Sequence, residues 1–187
     1  MHTIASVEKD CWASRGITFS DYFADNVPGM FLEFGVATGD SIRQIAALNP
    51  EREIYGFDGF TGLPEKWGRL LPKGEFACNP PSDLPLNVEL VVGLFQDTLP
   101  GWLKGHPGDV SFVHIDCDLY SSTKCILDNL ADRFVNGTVL AFDEIVGLPD
   151  CLTHEARAFA EFLNEYGFSY ECIGHFGGNR AGFRIFN

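Results

Sequence analysis

The chain has 187 residues, 45% hydrophobic and 21% charged, which favours one globular domain whose core needs no disulfide or metal staple. Its 26 acidic and 13 basic side chains give a formal net charge of −13. That charge argues against nucleic acid or an anionic membrane as partner and suits a cationic ligand or a metal ion, though it would also serve solubility alone. The six cysteines (Cys11, Cys78, Cys117, Cys125, Cys151, Cys172) form no C-x-x-C pair. The N-terminus carries no signal-peptide pattern and no apolar run has membrane-spanning length, so the expectation is a reduced, cytoplasmic protein.

In chain order, residues 1–29 predict a helical segment and then a turn at Asn26-Val27-Pro28-Gly29. An apolar run at 30–34 stops at Gly35. Asp40 or Ser41 then caps an amphipathic helix over 42–48, closed by Asn49-Pro50. A second strand at 53–57 ends at Asp58. Residues 59–87 hold five of the ten prolines and predict a long irregular loop, read as a lid. A third strand fits 88–94, and a short helical or turn segment fits 96–104. A fourth strand at 110–115 ends at Asp116. The spacing then predicts a helix over 120–134 with Cys125, Ile126, Leu130 and Phe134 on its apolar side. A fifth strand at 138–142 runs into Asp143-Glu144, and a helix follows over about 152–166. Residues 170–176 and 181–186, joined through Gly177-Gly178-Asn179, read as a β-hairpin. Strands alternating with helices imply a doubly wound, mostly parallel α/β sheet of seven strands in a single domain, 1–187. The hairpin adds its antiparallel strand, as in class I methyltransferases.

Ligands of open parallel sheets bind beyond the carboxyl ends of the strands. Here those ends carry Glu33-Phe34-Gly35, Asp58, Gly93, Asp116 and Asp143-Glu144. The first turn, from Glu33 to Ser41, has its glycines at 35 and 39, not in the G-x-G-x-x-G spacing of a dinucleotide site. Its Glu33 and Asp40 suit a sulfonium and an ammonium better than a phosphate. Taken alone, this motif is also what an ordinary strand-to-helix turn looks like. Asp58, at the end of the second strand, is placed to accept hydrogen bonds from ribose hydroxyls. His114, Asp116 and Asp118 face Asp143 and Glu144 across neighbouring strands about 4.8 Å apart, close enough to share one ion. Hard carboxylates favour Mg²⁺ over zinc. Asp118 is equally readable as a helix cap. Two roles are open to His114, a catalytic base or a hydrogen-bonded wall of the site, and the second is commoner. Trp67 and Trp102 read as packing residues, with Trp67 placed in the loop where it could touch substrate.

The stretches FLEFGVATGDS, YGFDGFTGLPE, GLFQDTLP, HIDCDLYSST and FDE resemble the macrocin O-methyltransferase family, metal-dependent enzymes that methylate sugar hydroxyls on antibiotics. The resemblance covers about residues 30–165. It implies that Glu33, Gly35, Thr38, Gly39 and Ser41 hold the methionine end of S-adenosyl-L-methionine. Asp58, with Gly59 and Phe60, would hold the ribose, and Gly93, Phe95 and Asp97-Thr98 would border the adenine. His114 would wall the cofactor site. Asp116, Asp143 and Glu144 would bind Mg²⁺, and Asp116 or Asp118 would take the proton from a small-molecule hydroxyl acceptor. This chain departs from the family in having only about thirty residues before the first strand, Gly at 59 where Ser is frequent, and Glu at 144 where some members have Asp.

The expected reaction is methyl transfer to a hydroxyl, whose poor nucleophilicity calls for a metal and a base. The rival reading is a non-catalytic S-adenosylmethionine-binding module; a nicotinamide oxidoreductase lacks its glycine signature. The sequence leaves the acceptor and a homo-oligomer open. No Lys or Arg is near Asp116, Asp143 and Glu144 in sequence, so their repulsion is expected to strain the metal-free protein.

Overall fold

The computed structural model describes residues 1–69, 71–147 and 151–187, without the side chain of Cys151. Its elements are α1 (Ile4–Ala13), β1 (Met30–Phe34), α2 (Asp40–Leu48), β2 (Ile54–Asp58), β3 (Val88–Val92), α3 (Phe95–Gly105), β4 (Val110–Ile115), α4 (Tyr120–Leu130), β5 (Phe134–Phe142), α5 (Glu155–Tyr166), β6 (Ser169–Phe176) and β7 (Arg180–Phe186). Short 3-10 turns occupy Phe19–Phe23, Ala131–Arg133 and Cys151–Thr153. One seven-stranded sheet runs in the order β3-β2-β1-β4-β5-β7-β6. The first five strands are parallel, and β7 inserts antiparallel between β5 and β6.

Alternation along the central strands splits the core between the two faces. Leu32 and Phe34 of β1, with Val113 and Ile115 of β4, pack under α1, α3, α4 and α5. Phe31 and Phe112 point the other way, against Ile42, Ile45 and Ala46 of α2 and against Tyr22 of the first 3-10 turn. Side chains buried on both sides make β1, β2, β4 and β5 near-continuous apolar runs, as expected of a covered parallel sheet. Among the described residues no helix is long and apolar enough to cross a membrane. The five described cysteines are free thiols.

The hairpin, and β1, β2 and β4 to within a residue, lie where the pattern put them. Several boundaries differ; among them, β5 begins at Phe134 and not at 138, and α5 at Glu155 and not at about 152. Helix α2 begins at Asp40 on Gly39, which sits left-handed at φ 86° as the cap residue, so neither Asp40 nor Ser41 caps it. Strand β3 stops at Val92, because Gly93 turns the chain at φ 144°. The helix expected over 120–134 ends at Leu130, and Phe134 already opens β5. Phe134 is buried as foreseen, but from a strand, with its ring against Phe162 and Phe168. Apolar spacing alone does not separate the last turn of a helix from the first residue of a buried strand.

Candidate active site

The carboxyl ends of β1, β2 and β4 open into a cleft of about 290 Å³. Its first wall is the loop after β1. Gly35 is obligatory there for a packing reason: at φ 94°, a Cβ would sit 1.7 Å from the backbone oxygen of Asp116. The loop is held by Asp58. One carboxylate oxygen of Asp58 accepts from the amides of Val36 and Ala37, each at 2.8 Å, and the other accepts from Phe60 at 2.7 Å. Ala37 (φ 44°) and Phe60 (φ 54°) are non-glycine residues in the left-handed region, so Asp58 braces two strained residues at once.

Gly59 with Leu94, Phe95 and Gln96 forms a mostly apolar slot at one side. The loop over 59–87 supplies Gly62, Leu63, Pro64 and the exposed Phe76. That loop folds on itself, the Leu63 amide donating to the Glu75 carbonyl and the Gly74 amide to the Leu63 carbonyl, each at 2.9 Å. It is also anchored: Trp67 is buried with Leu63 and Leu119, so Trp67 packs and does not line the cleft.

The far end is acidic. Ligand-capable atoms of Asp116, Asp118 and Glu144 lie within 4.8 Å of one another, as do those of His114, Asp116 and Asp143. Burial pushes the Asp116 carboxyl up to about 7, and the Asp143 and Glu33 charges add to this, against the pull of His114. Burial, with Asp118 alongside, pushes Glu144 up to about 11, so without a cation Glu144 keeps its proton and shares it with Asp118. Asp118 itself is raised, chiefly by burial, and stands in the left-handed region at φ 63°. Hard oxygen donors converging on one point fit a divalent cation such as Mg²⁺, which would take the place of the protons held there.

Two residues here carried no sequence signal. Glu155, the first residue of α5, is wholly buried, and one of its oxygens accepts from the Glu144 amide at 3.2 Å. Burial next to Asp118 and Asp116 pushes its carboxyl well up. In the sequence it is an ordinary acidic residue in the first turn of a helix. Arg180, the first residue of β7, grips both oxygens of Asp143, one of them at 3.3 Å. The expectation that no cation stands near Asp143 is therefore corrected: the antiparallel register that puts Ala181 opposite Phe142 brings Arg180 to Asp143.

Of the residues singled out from sequence, Gly35, Asp58, Gly59, Phe95, Asp116, Asp118 and Glu144 line the cleft. Thr38, Gly39, Ser41, Phe60, Gly93 and Asp97 border its loops without lining it. Glu33 and His114 lie beneath it, paired in register across β1 and β4 with a ring nitrogen 2.8 Å from the Glu33 carboxylate. Burial pulls His114 down, but the Glu33 hydrogen bond and charge outweigh it and its pKa is raised. The lining residues Ala37, Leu63, Phe76, Leu94, Gln96 and Ser122 were not singled out; they stand in loops or in the first turns of α3 and α4, and their approach depends on tertiary folding.

This sheet order, with its cleft at the strand ends, is the architecture of class I methyltransferases. Residues 32–145 match the family described as "Methyltransferase domain", and the chain belongs to that family. The match bears out the resemblance read from the motifs. A relative from Streptomyces olivaceus, 8-demethyl-8-(2,3-dimethoxy-alpha-L-rhamnosyl)-tetracenomycin-C 4'-O-methyltransferase, is 33% identical over 143 residues. The alignment covers 65% of this chain and 54% of that protein, so the chain spans about half of its length. In fold it is similar to the calicheamicin methyltransferase CalS11 (TM-score 0.71, 24% identity, 97% of this chain and 76% of that one). It is similar also to the O-methyltransferase NovP (TM-score 0.63, 21% identity, 98% and 79%).

Proposed function

We propose that the protein is an S-adenosylmethionine-dependent, Mg²⁺-dependent O-methyltransferase acting on a hydroxyl of a small molecule, such as a sugar on a natural product. The observation that carries this reading is the ring of Asp116, Asp118 and Glu144 at one end of a cleft whose other described lining is apolar or glycine except for Asp58, Gln96 and Ser122. Among the described lining residues are four carboxylates and no Lys or Arg, an environment for the sulfonium and ammonium of S-adenosylmethionine and for a metal ion. The 33% identity to a sugar O-methyltransferase supports the choice of acceptor.

S-adenosylmethionine would supply an activated methyl group, and Mg²⁺ a Lewis acid for the acceptor hydroxyl. The slot of Gly59, Leu94 and Phe95 would take the adenosine, and Asp58 would offer the ribose the acceptor site left on the oxygen that Phe60 uses. Asp116, Asp143 and Glu144 would hold the metal. Asp118, facing Glu144 inside the cleft, would accept the proton from the acceptor hydroxyl. His114 and Glu33 hold the floor beneath Asp116. The loop over 59–87 would act as a lid, with Phe76 over the acceptor and water excluded by closure.

The test is incubation with labelled S-adenosylmethionine, Mg²⁺ and a panel of glycosides, phenols and other alcohols. Formation of S-adenosylhomocysteine that depends on acceptor and metal is expected. Binding of S-adenosylmethionine with no turnover of any acceptor would favour a non-catalytic binding module.

A further inference from the structure

We infer that Arg180 is a built-in counter-cation that neutralises Asp143 in the metal-free protein and is displaced when a divalent cation enters the carboxylate cluster. The inference rests on the metal reading above. Two nitrogens of one guanidinium reach both oxygens of Asp143, so the carboxylate that the metal would use is already occupied by a positive group. Asp143 lies within ligand distance of His114 and Asp116, so a cation bound there would sit beside the guanidinium, and the two would repel.

The setting of Arg180 suits release. Its side chain is 39% exposed, against 12% for Asp143, so leaving the pair returns the guanidinium to water. It opens β7 directly after Gly177-Gly178-Asn179, and both of those glycines are left-handed, at φ 66° and 91°. The guanidinium already lies over the Phe176 ring, 5.4 Å from its centroid, so this contact need not be lost when the carboxylate is given up. Arg180 is thus a positioning residue, holding Asp143 at the site until the metal takes over.

The test is calorimetric titration of Mg²⁺ into the wild-type protein, Arg180→Gln and Arg180→Lys, with S-adenosylhomocysteine present. If Arg180 competes, Arg180→Gln binds Mg²⁺ about tenfold more tightly than wild type, and Arg180→Lys falls between them. Equal or weaker binding in Arg180→Gln overturns the inference and makes Arg180 a fixed anchor, leaving Asp116, Asp118 and Glu144 as the ligand set. In case the variants fold poorly, the wild-type protein gives a second readout: the Arg180 Nε–H resonance should be slow to exchange in chelator and exchange rapidly at saturating Mg²⁺. A resonance unmoved by bound Mg²⁺ overturns the latch alone. Absence of Mg²⁺ binding in all three proteins overturns both the latch and the metal reading.

Discussion

Replacing Asp58 with Ala removes the acceptor of three backbone amides, those of Val36, Ala37 and Phe60, at 2.7–2.8 Å. A hydrogen bond to a charged group contributes about 1.5–3 kcal/mol, and a half-buried amide left behind recovers part of that from water. About 1 kcal/mol lost per amide gives a destabilisation of about 3 kcal/mol. Relaxation of the left-handed Ala37 and Phe60 then keeps the cost from rising further. For a chain of this length, each kcal/mol moves the midpoint by about 2–4 °C, so Tm should fall by about 6–12 °C. Asp58→Asn keeps one acceptor oxygen and should lose roughly half as much. Differential scanning calorimetry measures the stability term, and titration with S-adenosylhomocysteine measures the affinity. A Tm within about 2 °C of wild type would refute the brace. A lowered Tm with unchanged affinity would leave Asp58 a brace and remove it from the ribose site.

The raised carboxyls fix a pH dependence. Asp116 titrates near 7 in the folded protein against 3.8 ordinarily, so between those values the native state holds a proton the unfolded chain has lost; metal-free stability therefore falls as pH rises through that window, and Glu144 extends the fall. In chelator, Tm at pH 8 should be below Tm at pH 5, while Mg²⁺ affinity by calorimetry should rise with pH, because binding expels those protons. Asp143→Asn should lower Tm in chelator, since it gives up the two-point ion pair with Arg180, whereas Asp116→Asn should raise it by relieving burial of charge; matching shifts of one sign would show the two carboxylates to be equivalent. A neutral glycoside should be methylated in preference to a nucleotide-diphosphate sugar, because the described lining residues present four carboxylates and no Lys or Arg to a diphosphate; competition between the two acceptors in one reaction measures this. Limited proteolysis should cut the loop over 59–87 in the free protein and cut it less with cofactor and acceptor bound; equal cutting would count against a lid.

How much of this was legible in the sequence depends on the range of the interaction. Strands β1, β2 and β4 declare themselves as apolar runs ended by Gly35, Asp58 and Asp116, and a parallel sheet brings those ends together without further information. Four of the residues marked at strand ends, Gly35, Asp58, Asp116 and Glu144, do line the cleft. Arg180 was not legible because its partner is set by the β5–β7 register, and a shift of one residue would send its side chain to the other face. Glu155 was hidden for a related reason: only the packing of α5 shows that this acidic residue of a first helical turn is wholly buried. Glu33 stands in β1 itself, two residues before the first glycine, and its hydrogen bond with His114 of β4 depends on the β1–β4 register, which the sequence does not show.

The strained residues and the buried charges share one address. Four non-glycine residues with φ in the left-handed region are described: Ala37, Phe60, Phe76 and Asp118. Three of them line the cleft, and the fourth is bonded to Asp58, which does. Each costs on the order of 1 kcal/mol or more and persists only where the surroundings over-determine it. The sheet beneath supplies that surplus through fully buried Phe31, Phe34, Phe57, Phe112 and Phe142. The strain also has a direction. At Ala37 and Phe60 it is held by a carboxylate that the reading assigns to the cofactor, and at Asp118 by a neighbour assigned to the metal. Ligands that engage Asp58 and Glu144 would therefore reinforce the contacts that already hold the loops in shape. Binding and loop order are then one equilibrium, and the free protein should be loosest at the loops around Ala37, Phe60 and Asp118, while the five parallel strands behind them stay closed.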